Sequence, residues 1–280
     1  MLQAELQENN PAANSPSLGS GPAPGKILNI LTGILVVMFP VGFLIMFTDP
    51  GKEYLWTTTI FLGLEALITF IILVKTADLL SVVITTAVIL IASWFIEYWG
   101  VATGFPFGGY SYTDTLRPLI GGVPLAILFA WFTVSASALL TARYLLNGSS
   151  ETAAIAAGAA FILATDILLE PFASFVNGFW LWDEGMIPIQ NFISWFAIGI
   201  IFLFTFSQLI KWNEETAPRA KINRIPLLIT AINIVNFSVL NVANGYYVLT
   251  VTGLLIFTVI AASVKIFNKP LAGSAPGGQV

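Results

Sequence analysis

Eight stretches of about 20 residues, at 27–47, 55–74, 79–99, 123–146, 151–171, 189–210, 225–243 and 246–267, carry almost no charge. About 20 apolar residues in a helix cross the hydrocarbon of a bilayer, and a crossing segment must satisfy its own backbone hydrogen bonds. The chain therefore reads as all-α, a polytopic transmembrane helix bundle of about eight spans, with seven as the alternative count. The run 225–267 divides at Asn244-Gly245, a turn signal. The run 55–99 divides at 75–78, where Lys75 and Asp78 would be costly inside one crossing. Composition agrees: 9% of residues are charged, against roughly a quarter in soluble domains.

The spans make one transmembrane domain over 26–268. Residues 1–25, rich in Pro, Ala, Ser and Asn, read as a disordered tail, and 269–280 as a second flexible tail. Eight spans put both tails on one side of the membrane. That side collects Lys26, Lys75, Arg143, Lys211, Arg219, Lys221, Arg224, Lys265 and Lys269, nine of the 11 basic residues, leaving Lys52 and Arg117 opposite. The positive-inside rule then places both termini in the cytoplasm of a cell-membrane protein. The long connections 100–122 and 172–188 lie together on the non-cytoplasmic side.

Several chemistries are excluded. With no Cys and no His, thiol catalysis, disulfides and histidine-held metal or haem are absent. A net charge of −4 with dispersed basic residues argues against nucleic acid.

The polar residues cluster near the outer connections. Glu97 falls at the outer end of the third span. Asp166 and Glu170, four apart at the outer end of the fifth, share a helix face. Glu65 sits mid-span in the second helix, a candidate buried acid. Asp183 and Glu184 are expected in solvent. Seven of the eight tryptophans, Trp56, Trp94, Trp99, Trp131, Trp180, Trp182 and Trp195, map to the outer half, and Trp212 to the inner. An interfacial belt would be two-sided, so an aromatic-lined cavity near the acids is expected. "GFPFGGYSY" at 104–112 cannot continue a helix, since glycine and proline cost about 1 and 3 kcal/mol in a helix interior. It is expected to close over that cavity as a re-entrant wall presenting Tyr110 and Tyr112.

The order of motifs resembles the integral-membrane carotenoid hydratase family, of the bisanhydrobacterioruberin hydratase and γ-carotene 1′,2′-hydratase type. The likeness runs over roughly 90–210. It is carried by Glu97 ahead of Pro106 to Tyr112, by Val123-Pro124 and Trp131, and by Asp166 with Pro171. Trp180 and Trp182 follow, then Pro188, Asn191, Phe192 and Trp195. Glu170 stands where the family pattern has Asp, and "LRP" replaces Leu-Gly-Pro.

The resemblance implies a cofactor-independent enzyme of carotenoid biosynthesis, a hydro-lyase with no metal. It would add water across the terminal C1′=C2′ double bond of an acyclic carotenoid end group. Such a reaction needs an acid, an environment tolerant of a tertiary cation, and a water with a base. Asp166 or Glu170 is the expected acid, with Glu97 orienting water or acting as base. Phe107, Tyr110, Tyr112, Trp131, Trp180, Trp182 and Trp195 are expected to shape the substrate pocket, and Asn191 to hold the water. The implied partners are the carotenoid, water, the bilayer and other enzymes of the same pathway.

Rival readings are a carotenoid-binding or transport protein, end-group isomerisation through the same cation, and a membrane prenyltransferase. The last needs a second acidic cluster and basic residues for a diphosphate, which the chain lacks on the acid-bearing side.

Overall fold

Why a chain this apolar stays a packed bundle is answered by its smallest side chains. Around "TVSASALLTA" and "AAIAAGAA" the residues are small enough for helix backbones to approach closely, the usual basis of association in lipid. The computed structural model describes residues 25–47, 53–146, 150–213 and 224–267. Most of the two tails, together with Lys52, Arg219, Lys221 and Lys269, lies outside the described residues.

Eight long helices appear in the described residues: α1 Lys26–Phe47, α2 Thr57–Thr76, α3 Leu79–Thr103, α4 Leu125–Leu145, α5 Glu151–Glu170, α6 Ile189–Leu209, α7 Arg224–Ala243 and α8 Tyr247–Phe267. Seven are long and apolar enough to cross a membrane, and the described apolar part of α8 is the shorter stretch Tyr247–Val259. Helix α4 is the centre: 83% of its membrane window is buried, against 11% for α1. It packs on α2, α3, α5, α6 and α7. Gly158 of α5 and Gly199 of α6 sit where an added Cβ would meet Leu203 at 3.0 Å and Ile162 at 3.1 Å.

The breaks fall where the charges at 75–78 and the Asn-Gly turn signal put them. Asp78 caps α3, accepting a 2.9 Å bond from the Ser81 N–H, and the bridge Ala77↔Trp212 ties this turn to the end of α6. At the opposite end, Tyr246 donates from its backbone to Asn241 O at 2.9 Å across the α7–α8 turn.

One boundary differs with consequence. Helix α3 continues four residues beyond the expected 99, until Gly104, at φ 76, closes it. Glu97 therefore lies well inside the helix instead of at its end.

Two small sheets roof the end of the bundle where α3 and α5 finish and α4 and α6 begin. Strand β1 (Tyr110–Tyr112) pairs antiparallel with β4 (Trp180–Trp182), and β2 (Leu119–Ile120) pairs with β3 (Val123–Pro124). The expected re-entrant wall is thus one strand of a two-stranded sheet whose partner comes from the other long connection.

Candidate active site

Backbone pairing between the two connections builds the site. Opposed residues are Tyr110 and Trp182, Ser111 and Leu181, Tyr112 and Trp180. Alternation along a strand sends every second side chain to the same face. The tyrosines and tryptophans turn inward, while Leu181 is 56% exposed. The ladder is extended by Asp183 N–H donating to Gly109 O at 3.0 Å and Thr113 N–H donating to Phe179 O at 3.1 Å. A π-helical turn, Pro171–Val176, carries the chain from α5 toward β4. From α6, Ser194 Oγ donates to Pro106 O at 2.6 Å and fixes the start of the loop.

Each strand grips one carboxyl. Tyr110 and Tyr112 of β1 donate their hydroxyls to Glu97 Oε2 at 2.6 and 2.7 Å. Trp131 Nε1 of α4 donates to Glu97 Oε1 at 2.7 Å. Trp180 and Trp182 of β4 donate their Nε1–H groups to Glu170 Oε2 at 3.2 and 3.1 Å. Asn191, at the start of α6, bridges the second pair of acids: its Nδ2 donates to Glu170 Oε1 at 3.1 Å and to Asp166 Oδ2 at 3.2 Å. Asp166 Oδ1 is buried without a hydrogen-bond partner.

All three carboxyls are removed from solvent, with Glu97 3%, Asp166 0% and Glu170 2% exposed. The two described ion pairs lie elsewhere, Arg117–Asp114 being exposed and Arg143–Glu151 at the far end of α4. Burial, then the charge of Glu97, holds the Tyr110 and Tyr112 hydroxyls well above the usual tyrosine range. Both therefore serve as donors at any physiological pH.

Glu97 and Glu170 face a cavity of about 40 Å³. Glu97, Glu170 and Asn191 supply its polar lining; Phe107, Tyr110, Tyr112, Trp180, Trp182 and Trp195 supply its rings. Trp131 stacks on Trp195 with centroids 3.9 Å apart. The space exceeds the roughly 10–15 Å³ that one water needs.

The expected residues thus come together, with refinements. Asp166 is close to Glu170 but, among the described residues, is not one of those lining the cavity. Asn191 spends its amide N–H groups on two carboxyls. Of the seven outer tryptophans, Trp56 and Trp99 face outward at 48% and 49% exposure, and Trp94 donates to Ile120 O at 2.9 Å. Glu65 is buried apart from the three acids, accepting from Asn233 Nδ2 at 3.4 Å. Asp183 and Glu184 are exposed, as expected.

Ile127, Ala130 and Leu169 also line the cavity and had no signal in the sequence beyond being apolar. Gly100 had one, since it follows Glu97 by a single helical turn. A Cβ there would meet Phe107 Cδ2 and the Tyr110 hydroxyl, each at 2.9 Å, so the loop can reach the acid because this residue has no side chain.

Comparison with known proteins adds three findings. The sequence profile of a family described as "Carotenoid biosynthesis protein" matches residues 57–260. A curated relative, bisanhydrobacterioruberin hydratase from Haloarcula japonica, is 31% identical over 120 residues, covering 41% of this chain and 41% of the relative. No solved structure matches.

Proposed function

The chain belongs to the carotenoid biosynthesis protein family, and from that premise we propose that it hydrates the terminal C1′=C2′ double bond of an acyclic carotenoid end group. The observation that carries the reading is a pair of carboxyls, Glu97 and Glu170, lining one aromatic cavity while each is held by a different strand. The relative's name supports the reaction type.

In this reading Glu170 is the acid and Glu97 the base. Support comes from like donors: the Trp131 indole lies 2.7 Å from Glu97, whereas the Trp180 and Trp182 indoles lie 3.2 and 3.1 Å from Glu170. Short bonds are characteristic of an ionised acceptor, so Glu97 is assigned the carboxylate and Glu170 the proton. Glu170 gives that proton to C2′, the alkene electron pair forming the new C–H bond. The tertiary cation left at C1′ sits among the aromatic faces, which attract cations within about 6 Å. Water adds its oxygen to C1′ and loses a proton to Glu97. The product is a tertiary alcohol, and returning one proton from Glu97 to Glu170 resets the pair. Atoms and charge balance with no redox partner. Asp166 acts through Asn191, orienting Glu170.

The site end faces the non-cytoplasmic half of the cell membrane in this reading. Lys26, Lys75, Arg143, Lys211 and Arg224 gather at the opposite end of the helices, with Arg117 at the site end; by the positive-inside rule the end richer in basic residues is the cytoplasmic one.

The test is expression in a host that makes acyclic-ended carotenoids, with the pigments analysed by mass spectrometry. The expected result is a gain of one water that disappears in Glu170→Gln. An unchanged mass with a shifted retention time would instead indicate isomerisation, and unchanged pigment bound to the protein would indicate a carrier.

A further inference from the structure

The acid cavity is too small for a polyene, so the chain behind the reacting end must leave it. A second cavity of about 80 Å³ lies against it, and the two share Ile127, Ala130, Leu169 and Trp180 as a common wall. Glu65 and Asn233, hydrogen-bonded to each other, both line this second space; the remaining lining is mostly apolar. A third cavity, of about 190 Å³, shares Thr58, Phe61 and Asn236 with the second. Its outer wall is α1, between Met38 and Ile45.

We propose that the three cavities form one channel that holds the polyene chain and opens sideways to the bilayer between α1 and α7. The proposal rests on the hydratase reading for its ligand, but its geometry is independent of the chemistry. Thr58, Phe61 and Glu65 recur at three- and four-residue spacing on one face of α2, so the channel follows that helix for about 10 Å, at 1.5 Å per residue.

A continuation past Val134, Thr165 and Asn233 is a pocket of about 10 Å³, too narrow for the chain. The β1–β4 ladder and its rings close the roof, and Trp131 packs flat on Trp195 beside the acids. A water-insoluble chain also needs an entrance at hydrocarbon depth. Among the seven apolar spans α1 is the least buried, and Pro40 lies within it at the level of the third cavity. Proline removes one backbone hydrogen bond there, so this helix is the easiest to part from its neighbours. Its outer face at this level is apolar, with Val37 66% and Leu44 64% exposed.

The experiment plugs the channel away from the acids. Thr58→Trp fills the junction of the second and third cavities, and Ile60→Trp is the control on an exposed neighbour of the same helix. Lycopene is the long probe, scored as pigment retained per purified protein. 2-Methyl-2-heptene, a short alkene with the same trisubstituted end, is the second probe, scored by hydration. Thr58→Trp is expected to lower retained lycopene by about tenfold or more, the equivalent of one 1.4 kcal/mol step. The thermal melt of each variant in detergent checks its fold, and hydration of the short alkene, expected at the wild-type level, reads the acid cavity separately from the channel. Ile60→Trp should match wild type on both.

Lycopene retention unchanged in Thr58→Trp would overturn the channel, whatever the turnover. Plug-sensitive retention in a protein that hydrates neither probe would keep the channel and sink the hydratase reading. If Thr58→Trp fails to fold, Phe61→Trp repeats the test at the same junction.

Discussion

Replacing Glu97 by Gln tests the hydrogen-bond logic of the site independently of any substrate. Glu97 accepts three bonds, one at Oε1 from Trp131 and two at Oε2 from Tyr110 and Tyr112. Glutamine has one acceptor oxygen and two N–H donors. With its oxygen toward the tyrosines, it points N–H at the N–H of Trp131. Turned over, it serves Trp131 but takes the side-chain acceptor from both hydroxyls, leaving Tyr110 the long 3.5 Å contact to the Glu97 backbone carbonyl. Either orientation strands at least one buried donor, and the site offers no solvent, because Trp131 is 0% and Glu97 3% exposed.

A stranded buried donor costs about 1–3 kcal/mol, which for a chain of this size lowers a melting midpoint by roughly 2–12 °C. Trp131→Phe removes the stranded N–H. In the wild-type background it costs a hydrogen bond to a carboxylate and part of the stack on Trp195. In the Glu97→Gln background the hydrogen-bond part of that cost is already lost, while the packing part cancels between the two. The double variant is therefore expected to be more stable than the sum of the singles by roughly 1–3 kcal/mol, a coupling typical of residues in direct contact. Thermal melts of the four proteins in one detergent measure it. Strict additivity, or a Glu97→Gln protein melting with wild type, would refute the assignment of Glu97 as a triple acceptor.

Glu170→Gln should abolish water addition, whereas Asp166→Asn should lower it and leave a measurable residue, because Asp166 reaches the cavity through Asn191; pigment mass spectrometry separates the two, and equal losses would make Asp166 a direct participant. Gly100→Ala should destabilise by roughly 1–3 kcal/mol through overpacking, since its Cβ would come within 2.9 Å of Phe107 and the Tyr110 hydroxyl; an unchanged melt would mean the loop sits further from α3. With their ionisation displaced upward by burial and by Glu97, Tyr110 and Tyr112 remain neutral and able to donate at the ordinary tyrosine value near pH 10. Changing both to Phe should therefore leave the tyrosinate absorbance gained up to that pH unaltered, and a loss of amplitude would contradict their burial.

Much of this architecture was legible because lipid imposes a length. The eight apolar runs became eight helices with ends within a few residues of those expected, the turn at Asn244-Gly245 fell on its turn signal, and the break at Asp78 fell as the charges required. The end of α3 was not legible, since Gly100 resembles a helix breaker until Gly104 is seen closing the helix in the left-handed region. The gathering of Glu97, Asp166 and Glu170 at one end followed from the alternation of spans. Which of them faces the cavity did not follow, because Asp166 and Glu170 share a helix face and the Asn191 amide, and differ in the Trp180 and Trp182 indoles that β4 brings to Glu170. The pairing of residues 110–112 with 180–182 was also hidden. Two three-residue strands 70 residues apart carry no periodicity long enough to recognise, and their aromatic residues read equally well as membrane anchors.

That pairing makes the two acids one device. Helix packing alone would leave the separation of Glu97 and Glu170 to α3 and α5, which among the described residues do not form a major contact with each other. The ladder replaces that loose constraint with a short one: the residues holding Glu97 stand directly opposite those holding Glu170, at the roughly 4.5–5.5 Å of an antiparallel pair. The same alternation makes the arrangement all-or-none. A slip of one residue in either strand would carry its pair of rings to the outer face and turn Ser111 or Leu181 inward, taking two donors from one carboxyl in a single step. An aromatic wall that both lines the cavity and fixes the two carboxyls therefore cannot fail at one without failing at the other.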